Sequence, residues 1–353
     1  RDDVESRGLG DVYKRQFRDS EGYMWYGTVN GLCRDDGYHV KVFRSDIETP
    51  GLLEDNLVEC IAEDKKGNIW FGTDKGVYIL DKSDYSVHPM DRERLKNIPV
   101  MYLYATSDGY MWLSYRSILA KYDINGQLVK EYPLRNKYGR TTISGFCESR
   151  NHEIIISVWN GRVYHLDKEK DEFVPYPDKM RRQNPTVMVQ DNEQDYFWLA
   201  TWGDGVVRFD PSAPEDSMFV YSEIPVNAAG EEDGVILSLV QDDKLGYIWL
   251  TTGHDFMSLQ IQPDKTLKQL KFQTGLLPVN HMLVEVLKGR GCLWVSAFDR
   301  PSFIVHLMDN MTKDYALPAL ADRVNRSPAV MALCDDGDGM MSVSYTHLTL
   351  PTT

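Results

Sequence analysis

Apolar and polar residues alternate with a period of two in short runs along this chain, and turn residues separate the runs. In the stretch 57–90, "LVECIAED" alternates, "KKGN" turns, "IWFGT" follows, "DKG" turns, "VYILD" follows and "YSVHPM" closes. Period-two alternation between Gly, Asp and Asn clusters predicts antiparallel hairpins joined as a meander. We name the four predicted strands of such a unit A to D. Nothing in the chain has a helical period of any length, and the one long connection is "IPVNAAGEEDG" at 224–234.

The unit repeats. "EGYMWYGT" (21–28) returns as "KGNIWFGT" (66–73), "DGYMWLSY" (108–115), "HEIIISVW" (152–159), "QDYFWLAT" (194–201), "LGYIWLTT" (245–252), "RGCLWVSA" (290–297) and a worn "GDGMMSV" (337–343). The anchor positions are Trp25, Trp70, Trp112, Ile155, Trp198, Trp249, Trp294 and about Met340, spaced by 42 to 46 residues with one interval of 51. A period in the forties with four short strands per unit predicts an all-β fold, a seven-bladed β-propeller of four-stranded antiparallel blades. On this reading the last A strand, "AVMALCD" at 329–335, joins strands B to D of the first blade and closes the ring. Closure removes the long exposed sheet edge that an open array would leave.

The two ends do not follow the pattern. Residues 1–16 and 343–353 resemble translated sequencing-adapter sequence, so the propeller is expected over 17–342, with the natural gene running past both ends. The net charge of −14 argues against nucleic acid, whose binding rests on clustered Lys and Arg. No apolar run approaches the roughly 18 residues of a membrane span, so no membrane contact is expected of this region. Cys33, Cys60, Cys147, Cys292 and Cys334 form no CxxC pair and are expected as small apolar residues in strands. No zinc spacing, phosphate loop or nucleophile elbow is present, and no cofactor or metal is expected.

The unit D-x-x-G-x-aliphatic-W-x-G-T-x-x-G-aliphatic, present as "DSEGYMWYGTVNGL" and "DKKGNIWFGTDKGV", is similar to the two-component regulator propeller repeat. The stretch "FRDSEGYMWYGTVNGLCRDDGYHVKVFRSD" resembles the opening blade of such a protein. The resemblance implies the periplasmic sensor region of a hybrid two-component histidine kinase from polysaccharide-degrading anaerobes. It also implies a longer parent with further propeller and β-sandwich domains, a membrane helix, a kinase core, a receiver and a DNA-binding region. None of these is visible in the sequence. The G-T after the anchor drifts to "LSY", "ISV", "LAT", "LTT" and "VSA" in later units.

Six of the eight Trp residues (Trp25, Trp70, Trp112, Trp198, Trp249, Trp294) fall at the centre of strand B. Recurrence once per blade marks them as packing wedges. The Asp and Gly ahead of them are expected to make the A–B turn. The other two, Trp159 and Trp202, follow their anchors by four residues, in the B–C turn, on the face that also carries the D–A connections. Reading these turns from blade three to blade seven collects Arg116, Trp159, Asn160, Trp202, Asp204, His254, Asp255, Phe298, Asp299 and Arg300 as candidate binding residues. Aromatic rings beside amides, carboxylates and a guanidinium suit an oligosaccharide, with rings against C–H faces and polar groups on hydroxyls. The alternatives are a protein-docking scaffold, including a homodimer, and less favourably a propeller lyase or glycosidase. The arginine cluster and Tyr nucleophile of a sialidase cannot be assembled, nor can the paired His of a streptogramin-type lyase. His254 beside Asp255 reads as a hydrogen-bonded loop pair rather than acid-base machinery.

Overall fold

The alternating runs pair as predicted. The structure, a computed structural model, describes residues 13–270 except 37, 46, 48–51, 135–141, 160, 178–183, 228–229, 243–245 and 253–254. Beyond these it describes the strands 283–288, 292–297, 303–306, 330–335 and 341–345. Six sheets have four antiparallel strands in chain order, a seventh shows three, and a last hairpin shows two. Blade two is representative: Val58–Glu63, Ile69–Thr73, Gly76–Leu80 and Val87–Met90 are its strands A to D. The fold is an all-β propeller.

Strand B is buried along its whole length in the first five blades and at all but its first residue, Tyr247, in the sixth, because both of its faces meet neighbouring sheets. Trp25 packs with Ile61 and Phe71 of blade two, and Trp70 with Leu103 and Leu113 of blade three. Trp112 meets Phe146 and Ile156 of blade four, and Trp198 meets Leu239 and Ile248 of blade six. The anchors are wedges between blades. Truncating such a wedge to Ala costs about 3–5 kcal/mol. The described thiols of Cys33, Cys60 and Cys147 are buried and form no disulfide among the described residues. Those of Cys60 and Cys147 reach the Val100 and Met188 carbonyls of the next blade, and burial pushes the Cys147 thiol up to about 12.

Closure differs from the expectation. Strand A of blade one is Tyr13–Arg18, paired with Met24–Thr28 so that Phe17 faces Trp25. This strand lies against Leu283–Lys288 and Cys292–Ala297 of blade seven and closes the ring itself. Val330–Asp335, expected in that position, pairs instead with Met341–Tyr345. Parts of both end segments, set aside for their resemblance to adapter sequence, therefore act as strands. The physical reason is local: the unpaired N–H and C=O groups along a free edge of strand B accept whichever extended segment the adjoining turn delivers. Among the described residues, helix is confined to single turns at Arg92–Leu95 and Glu215–Ser217.

The A–B turns show why Asp precedes the anchor. Oδ2 of Asp19, Asp64 and Asp191 accepts the indole N–H of Trp25, Trp70 and Trp198, each at 2.9 Å. Oδ1 of the same residues accepts turn N–H groups, from Tyr23, from Lys66 and Asn68, and from Glu193 and Gln194. One buried carboxylate thus fixes the turn and orients the wedge. Turn chemistry alone, the expected role, is half of what it does. Blade three has Thr106 in this position, and the buried Trp112 Nε1 has no acceptor among the described residues.

The same turns clasp the next blade. Ser20 N and Oγ donate to Glu63, Ser107 N and Oγ to Glu148, and Asn192 N to Gln241. Lys82 Nζ, nearly buried, sits 2.7 Å from Glu63 and 3.3 Å from Asp19 and neutralises that cluster. Burial opposes charge on Glu148, but the Ser107 hydroxyl and N–H and the His152 ring outweigh it and hold its carboxyl below the usual range.

Candidate functional site

The opposite face is built by the B–C turns and D–A connections. Here the Thr of the G-T pair is a staple. Thr28, Thr73, Thr201 and Thr252 are fully buried, and each hydroxyl donates to a carbonyl across the turn, at Gly31, Gly76, Gly205 and Asp255. Each also accepts a turn N–H, from Asn30, Lys75, Asp204 and Asp255 respectively. Blade three instead has a two-residue turn in which Arg116 and Ser117 both take positive φ, 45° and 64°, which matches the strand twist without a staple. The turns of blades one to three span two residues between strands, and those of blades four and five span four. The longer turns carry the two unanchored tryptophans.

Trp159 and Trp202 meet. Their ring centroids are 5.6 Å apart with the planes at 90°, so one indole presents its edge to the other. Trp202 is 45% exposed, whereas Trp159 is half-buried. The exposed ring stands on a fixed backbone. Trp202 N donates to the Asn184 carbonyl at 3.0 Å, the Asn184 side-chain amide donates to the Trp202 carbonyl, and Trp202 bridges Val235. Trp159 N donates to the Thr142 carbonyl at 2.9 Å. Each turn is thereby tied to the D–A connection beside it, as its position on that face requires.

In the connection 224–234 the described limbs, 224–227 and 230–234, pair as a hairpin. Val226 bridges Glu232, Asn227 N donates to the Glu231 carbonyl, and Asp233 N donates to the Pro225 carbonyl. Its root is bonded to the tryptophan turn, where Gly203 N and Gly205 N both donate to the Gly234 carbonyl at 2.8 and 3.1 Å. A Cβ at Gly234 would lie 2.6 Å from the Gly203 carbonyl oxygen, so only glycine permits this approach. Its outer limb is held by Gln269 of blade six, whose amide accepts from Val226 N and donates to the Val226 carbonyl at 2.7 and 2.6 Å.

The sequence-predicted residues separate into three groups. Trp159 and Trp202 come together, and Arg116 is exposed on the same face, two blades from Trp202. Asp204 and Asp255 do not line the face as expected. Both are buried, with their backbone N–H groups on the Thr staples, and Asp255 Oδ1 accepts from Phe256 N. Asn160, His254, Phe298, Asp299 and Arg300 lie outside the described residues. The column reading missed Asn184, Gln269 and the hairpin. Two distant amides that hold backbone atoms leave no signal in the sequence, and the 51-residue interval owes more to the longer B–C and C–D turns of blade five than to this connection.

The described histidines are scattered. His152 lies on the A–B turn face 2.7 Å from Glu148, His165 packs on Tyr176, and His88 and His39 sit beside Ser86 and Asp36. Among the described residues no group of three His, Cys, Asp or Glu could hold a metal ion, and no helix is long and apolar enough to cross a membrane.

Comparison with known proteins bears out the repeat. Residues 52–75 match the family described as two component regulator propeller. The fold is similar to the extracellular domain of a hybrid two component system from B. thetaiotaomicron, at 19% identity and TM-score 0.66, covering 84% of this chain and 41% of that one. A second such extracellular domain from the same organism is 15% identical with TM-score 0.64, covering 95% of this chain and 45% of the other. Virginiamycin B lyase from Staphylococcus aureus has the same fold at 12% identity and TM-score 0.66, covering 85% and 96%. The chain therefore spans less than half of the two-component structures and nearly all of the lyase. No curated protein matches the sequence.

Proposed function

We propose that this chain is the ligand-sensing propeller of an extracytoplasmic, periplasmic two-component sensor and that its B–C turn face recognises an oligosaccharide. The observation that carries the proposal is Trp202. A large aromatic ring, 45% exposed, is held by backbone bonds on both sides and buttressed by Trp159 at a right angle. A ring kept out of the core on a rigid turn loses little entropy when a sugar C–H face stacks on it. The repeat at 52–75 and the likeness to extracellular domains of hybrid two component systems support the sensor role. Binding energy differing between two arrangements of the parent would then shift a kinase equilibrium through the domains that adjoin this propeller.

A specific observation also favours a second reading. Val29, Ile47, Met101, Trp202 and Val226, five of the eight exposed large apolar side chains among the described residues, lie on this same face. An apolar face of that kind also suits docking of another domain or a second copy. Titration of the folded chain against an oligosaccharide array separates the two. Under the sensor reading, Trp202→Ala weakens binding by about thirtyfold and Trp159→Ala weakens it less. Sugar binding untouched by both variants would sink the site. Product release from a polysaccharide would favour the lyase-like alternative.

A further inference from the structure

Resting on the sugar reading of Trp202, we infer that the site takes the end of a glycan chain rather than its interior. A chain bound along its length needs an open run on both sides of each stacking ring, with successive rings facing the same way. The geometry around Trp202 is different. On the blade-four side Trp159 stands at 90° to it, 5.6 Å away, and forms a corner instead of extending a platform. On the blade-six side the described limbs of the connection 224–234 pair as a hairpin rooted in the very turn that carries the ring, through Gly203, Gly205 and Gly234. That hairpin is braced at its outer limb by the two hydrogen bonds of Gln269 to Val226. A sugar stacked on Trp202 is therefore bounded on two sides by elements held in place by backbone bonds. Such a corner accommodates a terminal unit and one neighbour, with the rest of the chain leaving toward solvent. The hairpin is the specificity element.

The test uses the full chain and ladders of gluco-, xylo-, manno-, galacto- and arabino-oligosaccharides from one to six units, compared at equal molar chain concentration by calorimetry. For the ladder that binds, affinity is expected to reach its plateau by about two units and to vary less than about twofold beyond. Replacing 226–232 by a Gly-Ser turn, or releasing the hairpin with Gln269→Ala should the excision fail to fold by circular dichroism, is expected to favour the longest members several-fold over the shortest. Affinity that climbs with every added unit in the unmodified chain overturns chain-end recognition and leaves the sugar reading intact. A hairpin-released variant that folds and keeps the plateau overturns the role of the hairpin. Absence of binding by every ladder at millimolar concentration removes the sugar reading itself, and this inference with it.

Discussion

The two faces of the propeller are made from the same repeat and do different work. On the A–B turn face, an Asp carboxylate accepts an indole N–H at 2.9 Å in blades one, two and five, and a clasp to the next blade recurs in blades one, three and five. On the B–C turn face, the Thr staple recurs but the residues above it do not, and the turn doubles in length where Trp159 and Trp202 appear. What repeats is buried and holds blades together. What varies is exposed and is free to recognise something, because a rigid scaffold lets loops change without changing the fold. Stability and binding should therefore separate by face when single residues are altered.

The largest expected effect is on the A–B side. Asp64→Ala strips four donors of their acceptor, the part-buried Lys66 and Asn68 N–H groups and Asn68 amide and the buried Trp70 indole. Buried donors left unsatisfied cost about 1–3 kcal/mol each before relaxation, so a loss of about 3 kcal/mol is expected, seen as a lower urea midpoint with sugar affinity unchanged. Next comes Trp202→Ala, which should cost about 2 kcal/mol of binding, on the order of thirtyfold in Kd, while stability stays within about 0.5 kcal/mol. The reverse outcome in either variant would dissolve the division between faces.

A smaller gain is expected from Thr106→Asp, which gives blade three the acceptor its Trp112 lacks. Stabilisation of about 1 kcal/mol by thermal or urea unfolding would show that the carboxylate, and not the turn alone, is the conserved element of geometry between blades. The smallest effect concerns pH. Glu148 is held below the ordinary carboxylate range in the folded chain, so its contribution is present above the unfolded value near ~4.3 and fades as pH falls through the lower folded value. Glu148→Gln should lower stability at pH 7 and flatten the acid limb of the urea midpoint between about pH 5 and pH 3. An unchanged acid limb would remove the Ser107–Glu148 clasp from the account.

The repeating half of the molecule was legible from period and anchor, since strand B carries the same residue types at the same offsets and needs only burial to explain it. The second role of Asp19, Asp64 and Asp191 was hidden because a bond to an indole six or seven residues away leaves no distinct pattern beyond the turn residue itself. Of the candidate site, the meeting of Trp159 and Trp202 followed from their shared column. Asp204 was misplaced because a column alignment treats turns of two and four residues alike, whereas in the longer turn its N–H is drawn onto Thr201 and its side chain goes under the surface. The inner strand of blade one was misassigned because pairing along an open edge depends on which extended segment is nearest, and residue type decides little there.

The central claim is that Trp202, on its fixed turn, is a sugar-binding surface. Calorimetric titration of the intact chain and of Trp202→Ala with the same oligosaccharide, run beside Asp64→Ala, tests it most directly. The account predicts saturable binding by the unmodified chain and by Asp64→Ala below its melting point, and loss of about thirtyfold in Trp202→Ala. Equal affinity in the unmodified chain and Trp202→Ala would contradict it.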